Sequence, residues 1–140
     1  MNKIRPFHLA FPVRNLEEAK KFYTEILGCK VGRSSDKWID FDFFGHQVVA
    51  HLVESEKKQN KTSAVDNKNV PVEHFGIILS IPDWKKLALK LERKGVDFII
   101  KPYVRFKNLP GEQATMFFLD PSGNALEFKA FRNDSEIFKA

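Results

Sequence analysis

Four residues of this 140-residue chain have side chains suited to holding a transition metal and fall where strands are expected: His8, His51, His74 and Glu127. Imidazole is the commonest protein ligand for such an ion. A carboxylate set inside an apolar strand, as Glu127 is between Leu126 and Phe128, is costly unless it is paired or metal-bound. Two imidazoles and a carboxylate suit divalent Fe, Mn, Co, Ni or Zn and leave positions for water and substrate. The ion would act as a Lewis acid on substrate oxygens. His51, flanked by Val48-Val-Ala and Leu52-Val, is either a fourth ligand or a nearby general base, since imidazole titrates near neutrality. Glu127 and His51 are therefore the candidate catalytic residues. His8 or His74 taken alone reads first as a hydrogen-bonded core residue.

The repetition of the pattern favours the metal. His8 opens the run His-Leu-Ala-Phe-Pro-Val and His74 opens His-Phe-Gly-Ile-Ile-Leu, and each run feeds a helix that stops at a glycine, Gly28 or Gly95. The histidines lie 66 positions apart and the glycines 67. A half-chain duplication aims equivalent strands at equivalent points. By the two-residue period of a strand, the next residue on each histidine's face is small, Ala10 or Gly76. Small neighbours leave space beside an imidazole for an open metal position.

The elements that must position these residues can be read in order. Phe7 to Val13 is a strand. Asn15 and Glu18 form a capping box for a helix with apolar positions Leu16, Ala19, Phe22, Tyr23, Ile26 and Leu27, closed by Gly28. Strands follow over 29–33, 38–44 and 46–53; in the second, Trp38, Asp40 and Asp42 alternate with Ile39, Phe41 and Phe43. The polar stretch 54–69 reads as a mobile linker. The second half repeats the order: a strand over 74–81, a helix over 82–94 capped by Ser80 with Asp83, a strand over 96–100, a loop over 102–111, strands over 113–119 and 125–131, and the turn Asp120-Pro-Ser-Gly-Asn124 between them. The expected organisation is one domain over 1–140: module one over about 4–53, linker 54–69, module two over about 70–131 and a polar tail 132–140. Trp38 and Tyr103 could line a pocket for an aromatic or apolar substrate. Arg105 and Gln113 sit where a loop meets a strand and are candidate substrate contacts. His46, after Gly45, is expected to face solvent.

Composition narrows the function classes. An apolar content of 43% with 14 Phe supports a packed core. The net charge of +5 is spread over helix faces with no nucleic-acid motif behind it, and suits a small anionic substrate. Cys29 is the single cysteine, so no intrachain disulfide forms. No run approaches a membrane span, and the first residues lack a signal-peptide core. A cytoplasmic setting, with no nucleic-acid or membrane partner, is the expectation.

With these residues in view, the chain resembles the vicinal oxygen chelate superfamily of glyoxalases, extradiol dioxygenases, fosfomycin-resistance enzymes and bleomycin-binding proteins. The resemblance rests on His8 through Gly28, with its Phe22-Tyr23 and Leu27-Gly28 phrases, on His74-Phe-Gly-Ile-Ile-Leu-Ser80, and on Phe117-Phe-Leu-Asp-Pro-Ser-Gly-Asn-Ala-Leu-Glu127. It implies an α+β fold of two βαβββ modules forming an incomplete barrel, the glyoxalase/bleomycin resistance/dioxygenase-like fold. It implies a divalent metal held by His8, His74 and Glu127, with His51 at a position where glyoxalases commonly carry a carboxylate. It also implies a homodimer and a small-molecule substrate that chelates the metal through neighbouring oxygens. The expected activity is glyoxalase-like lyase or isomerase chemistry, or dioxygenase chemistry. The alternative is a bleomycin-resistance-like module that sequesters an apolar or aromatic molecule without catalysis.

Overall fold

The computed structural model describes residues 3–54 and 56–140. They divide into two compact units: one runs to Gln59 and includes Asp120–Asn124, and the other comprises Asn60–Leu119 with Ala125–Ala140.

In the first unit, β1 (His8–Val13), β2 (Lys30–Ser34), β3 (Trp38–Phe43) and β4 (His46–Leu52) form a sheet in the order β1-β4-β3-β2. β1 runs parallel to β4 and the other pairs are antiparallel. The parallel pairing needs a crossover, and α1 (Leu16–Lys21) supplies it. Asn15 caps α1 by accepting the Glu18 N–H at 2.8 Å. The single helix expected up to Gly28 is α-helical only to Lys21 and continues as a π-helical turn over Phe22–Ile26. The Thr24 hydroxyl donates to the Lys20 carbonyl at 2.7 Å, a side-chain bond that competes with the regular ladder. The wide turn buries Phe22 and Tyr23 side by side.

The expected alternation in β3 holds: Ile39, Phe41 and Phe43 are buried, and Trp38, Asp40 and Asp42 are not. Tyr23 packs on Phe11 and Phe41, with ring centroids 5.3 and 5.2 Å away. Its hydroxyl donates to Asp120 at 2.8 Å. Asp120 also accepts the backbone N–H of Ser122 and of Asn124. The Asn124 amide in turn donates to Asp120 and to the Pro12 carbonyl. Two of the three stretches that carried the family resemblance thus meet in one buried hydrogen-bond network.

In the second unit, β7 (Phe98–Arg105), β8 (Gln113–Leu119) and β9 (Ala125–Phe131) form an antiparallel sheet. The strand expected over 74–81 is reduced to two isolated bridges parallel to β9, Phe75↔Leu126 and Ile78↔Lys129. Helix α2 (Ile81–Arg93) takes over at Ile81, with Ser80 as its cap. First segment parallel to last strand, with a helix between, is the same topology as in the first unit. Each unit is thus a βαβββ module, and the class is α+β with open sheets. α2 buries Trp84, Leu87, Ala88 and Leu91, and the Trp84 indole donates to the Phe128 carbonyl at 2.8 Å.

Two further expectations are corrected in the second unit. The linker read over 54–69 carries a hairpin of β5 (Lys61–Val65) and β6 (Lys68–Val72). Its tip, Asp66-Asn67, takes φ 50 and 61, the left-handed pair that a two-residue hairpin turn requires. Polar composition hid a strand pair whose Val65 and Val70 pack on Ile100, Phe117 and Tyr103. The strand expected over 96–100 extends through Arg105, so Tyr103 and Arg105 lie on β7 and not in a loop. No helix among the described residues is long and apolar enough to cross a membrane.

Candidate metal centre and its surroundings

β9 alternates faces. Leu126, Phe128 and Ala130 are fully buried, while Glu127 and Lys129 point to the other side and are partly exposed. The Glu127 side chain is 11% exposed. Its Oε2 accepts the Thr115 hydroxyl at 2.5 Å, and its Oε1 lies 3.1 Å from His74 Nε2. The other ring nitrogen of His74, Nδ1, lies 2.7 Å from the Pro71 carbonyl. A carbonyl only accepts, so Nδ1 carries the hydrogen and the neutral ring keeps its lone pair on Nε2. The ring also packs edge-on against Phe117 at 5.0 Å.

The hydrogen bond to Glu127 raises the His74 pKa; burial opposes it and the Pro71 carbonyl adds to it. For Glu127, burial pushes the carboxyl up, but the hydrogen bonds from His74 and Thr115, helped by Lys129, outweigh it and hold the group below its ordinary value.

Gly76 is fixed by this arrangement. A Cβ there would stand 1.5 Å from the Glu127 carbonyl oxygen. The glycine permits close approach of backbone to β9, which is a different service from the open space expected beside the imidazole.

In the first unit, His8 is exposed on the edge strand. Its Nδ1 lies 2.9 Å from Gln47 Oε1, and Gln47 Nε2 donates to Asp40 at 3.5 Å. A carboxylate only accepts, so the amide nitrogen faces Asp40 and the amide oxygen faces His8. His8 Nδ1 therefore carries the hydrogen, and Nε2 again keeps the lone pair. His51 is exposed on β4, in register with Pro12 and Trp38. The register counterpart of Glu127 is Val49, opposite Ala10, as Glu127 lies opposite Gly76. His51 is two residues further along the same face. His46 Nδ1 accepts the Phe7 N–H at 2.8 Å.

The other candidate contacts fall as follows. Tyr103 donates to Asp66 at 3.2 Å, and Arg105 Nε pairs with the same carboxylate at 2.5 Å. Gln113 is 7% exposed and donates to the Gly111 carbonyl at 3.3 Å. The structure thus joins His74 to Glu127, and Tyr103 to Arg105. Among the described residues, no group of three or more His, Cys, Asp or Glu side chains is gathered at metal-binding spacing. Sequence reading missed Thr115, Pro71, Gln47 and Asp40. Thr115, Gln47 and Asp40 act through a partner on a neighbouring strand, which only register reveals, and Pro71 acts through its backbone carbonyl three residues before His74.

The residues present suit a divalent ion. A nitrogen lone pair and a carboxylate oxygen 3.1 Å apart need a cation between them, either a proton or a metal. That separation matches two adjacent ligands at roughly 2.1 Å from one ion.

The family model described as the Glyoxalase/Bleomycin resistance protein/Dioxygenase superfamily matches residues 5–128, and the chain belongs to that superfamily. It is similar to a glyoxalase/bleomycin resistance protein/dioxygenase from Alicyclobacillus acidocaldarius, at 35% identity over 95% of this chain and 96% of that one, with a TM-score of 0.80. Two more distant structures share the fold. The fosfomycin resistance protein FosX from Listeria monocytogenes is 16% identical over 97% and 98% of the two chains, TM-score 0.70. A lactoylglutathione lyase from Agrobacterium tumefaciens is 14% identical over 93% and 94%, TM-score 0.64. No curated protein sequence matches the chain.

Proposed function

We propose that this protein is a metal-dependent enzyme, glyoxalase-like or dioxygenase-like, whose small substrate chelates a divalent ion through neighbouring oxygens. His74 and Glu127 hold the ion, His8 is the third protein ligand, and His51 serves as a further ligand or a general base. When bound, the ion acts as a Lewis acid that stabilises negative charge developing on a substrate oxygen.

The observation that carries this reading is the matched treatment of the two duplicated histidines. Each has Nδ1 tied to an acceptor, Gln47 for His8 and Pro71 for His74, leaving Nε2 as the donor atom. Metal-ligating histidines are held in this way by outer partners. Thr115 holds one Glu127 oxygen and leaves the other facing His74. Fe, Mn, Co, Ni and Zn all suit such donors.

The test is metal content of protein purified without a metal-binding tag, followed by assays of metal-loaded protein. Zinc- or nickel-dependent turnover of a thiol-adducted 2-oxoaldehyde selects the glyoxalase branch. Iron-dependent oxygen uptake with a catechol selects the dioxygenase branch. Ligand binding unchanged by His8→Ala and His74→Ala selects sequestration without catalysis. We further propose a cytoplasmic homodimer, which light scattering on purified protein checks for the dimer.

A further inference from the structure

We infer that the pocket lined by Arg105, Gln113, Lys129 and Lys139 binds an oxyanion group of the substrate, a carboxylate or a phosphoryl group, beyond its chelating oxygens. The inference deepens the metal-site reading and rests on it for the word substrate, but the anion site can be tested by itself. The pocket lies wholly within the second unit and has a volume of about 450 Å³, within the range of small-molecule sites.

Its position follows from strand register. Glu127, Lys129 and Phe131 alternate onto one face of β9. Their β8 partners are Phe117, Thr115 and Gln113, and the β7 partners of Thr115 and Gln113 are Tyr103 and Arg105. Glu127 and Lys129 are one pleat repeat apart, roughly 7 Å. A molecule chelated at Glu127 thus meets Lys129 and then Arg105 along the same face.

The charges are arranged for an anion. Lys129 makes no ion pair among the described residues. Arg105 is held from two sides, by Asp66 through Nε and by the Phe106 ring 4.8 Å below the guanidinium. That fixes its plane while leaving most of its five N–H donors uncommitted. Gln113 spends one amide hydrogen on Gly111 and keeps the other. The side-chain carboxylate in the lining, Glu136, is turned onto the Gly111 N–H, so its charge is partly satisfied. Lysine and a pre-set guanidinium together are the usual partners of carboxylate and phosphoryl oxygens.

The experiment is an NMR titration of the isotope-labelled full chain with inorganic phosphate and, separately, with acetate, each with and without added zinc. Saturable shifts centred on Gln113, Lys129 and Arg105 are expected for at least one anion, in metal-free protein as well. Lys129→Met should weaken that binding at least tenfold while zinc uptake stays at the wild-type level, and Lys129→Arg should restore it. Phosphate favoured over acetate assigns a phosphoryl group, and the reverse assigns a carboxylate. Absence of saturable shifts with both anions, or shifts undiminished in a folded Lys129→Met, overturns the inference. Anion binding without zinc uptake would sustain it and remove the metal reading alone.

Discussion

His8 and His74 occupy the same place in two copies of one topology, yet they are held in different ways. His74 leans on a backbone carbonyl and faces a mostly buried carboxylate. His8 is exposed and leans on a side chain, Gln47, which is itself anchored by Asp40. The duplication preserved which nitrogen is offered, not the means of offering it. A backbone partner cannot be lost by one substitution, whereas a chain of two side chains can. The second unit therefore holds its histidine rigidly, and the first holds its own by a tunable pair of side chains.

The sharpest way to break this comparison is at the small residues beside the histidines. Gly76→Ala should cost about 3 kcal/mol or more by urea denaturation, because the new methyl collides with the β9 backbone at Glu127 and relieving the clash parts this segment from β9. Ala10→Gly, its counterpart, should cost only about 0.5–1 kcal/mol, the ordinary penalty of glycine in a strand. Equal costs at both positions would remove the distinction between a rigidly and a tunably held histidine.

Metal affinity sharpens it next. Gln47→Ala should weaken metal binding about 10- to 100-fold by freeing the His8 ring, as loss of an outer partner does. Asp40→Asn should give a smaller effect in the same direction, because an amide can still meet Gln47. Unchanged affinity in Gln47→Ala by competition titration would show that His8 needs no support or is no ligand.

Tyr23→Phe probes the first unit away from any metal. It deletes one donor to the buried Asp120 and should cost about 1–3 kcal/mol, with metal uptake unchanged. A stability equal to wild type would mean that the motif phrases matter for something other than this bond.

The smallest effects are in pH dependence of the metal-free protein, where the two carboxylates have opposite signs. Burial raises the Asp120 pKa above its ordinary 3.8, more than its hydrogen bonds lower it. Its contribution to stability is therefore full below 3.8 and is lost as pH rises through the raised value. For Glu127, burial is outweighed by the bonds from His74 and Thr115, and the pKa falls below its ordinary 4.5. Its contribution is present above 4.5 and is lost as pH falls through the lowered value. Denaturation of Asp120→Asn and Glu127→Gln against pH should show the two slopes removed in opposite directions.

Much of the fold was legible because its signals are local. The cap at Asn15, the period of β3 and the stop at Gly28 each depend on neighbours within a few residues. The hairpin of β5 and β6 escaped because a run of lysines and asparagines masked the turn pair Asp66-Asn67. The π-helical turn after Lys21 leaves no mark on the apolar period of the helix, because the Thr24 hydroxyl bonding back to the Lys20 carbonyl is a side-chain event. In the candidate centre, His74 was visible as the repeat of His8, and Glu127 by the cost of burying a carboxylate in an apolar strand. Thr115 and Gln47 were not, since their importance comes from the strand opposite. His51 looked like the partner of Glu127 by strand order, but counting along the paired strands puts Val49 at that place.

The measurement that bears most directly on the central claim is the metal content of untagged protein, wild type against the double variant His74→Ala/Glu127→Gln. The role of His74 and Glu127 as ligands requires close to one divalent ion per wild-type chain and almost none in the double variant, with both proteins folded by circular dichroism. Wild-type protein that neither carries nor takes up a divalent ion, or a double variant that binds it equally well, would contradict it.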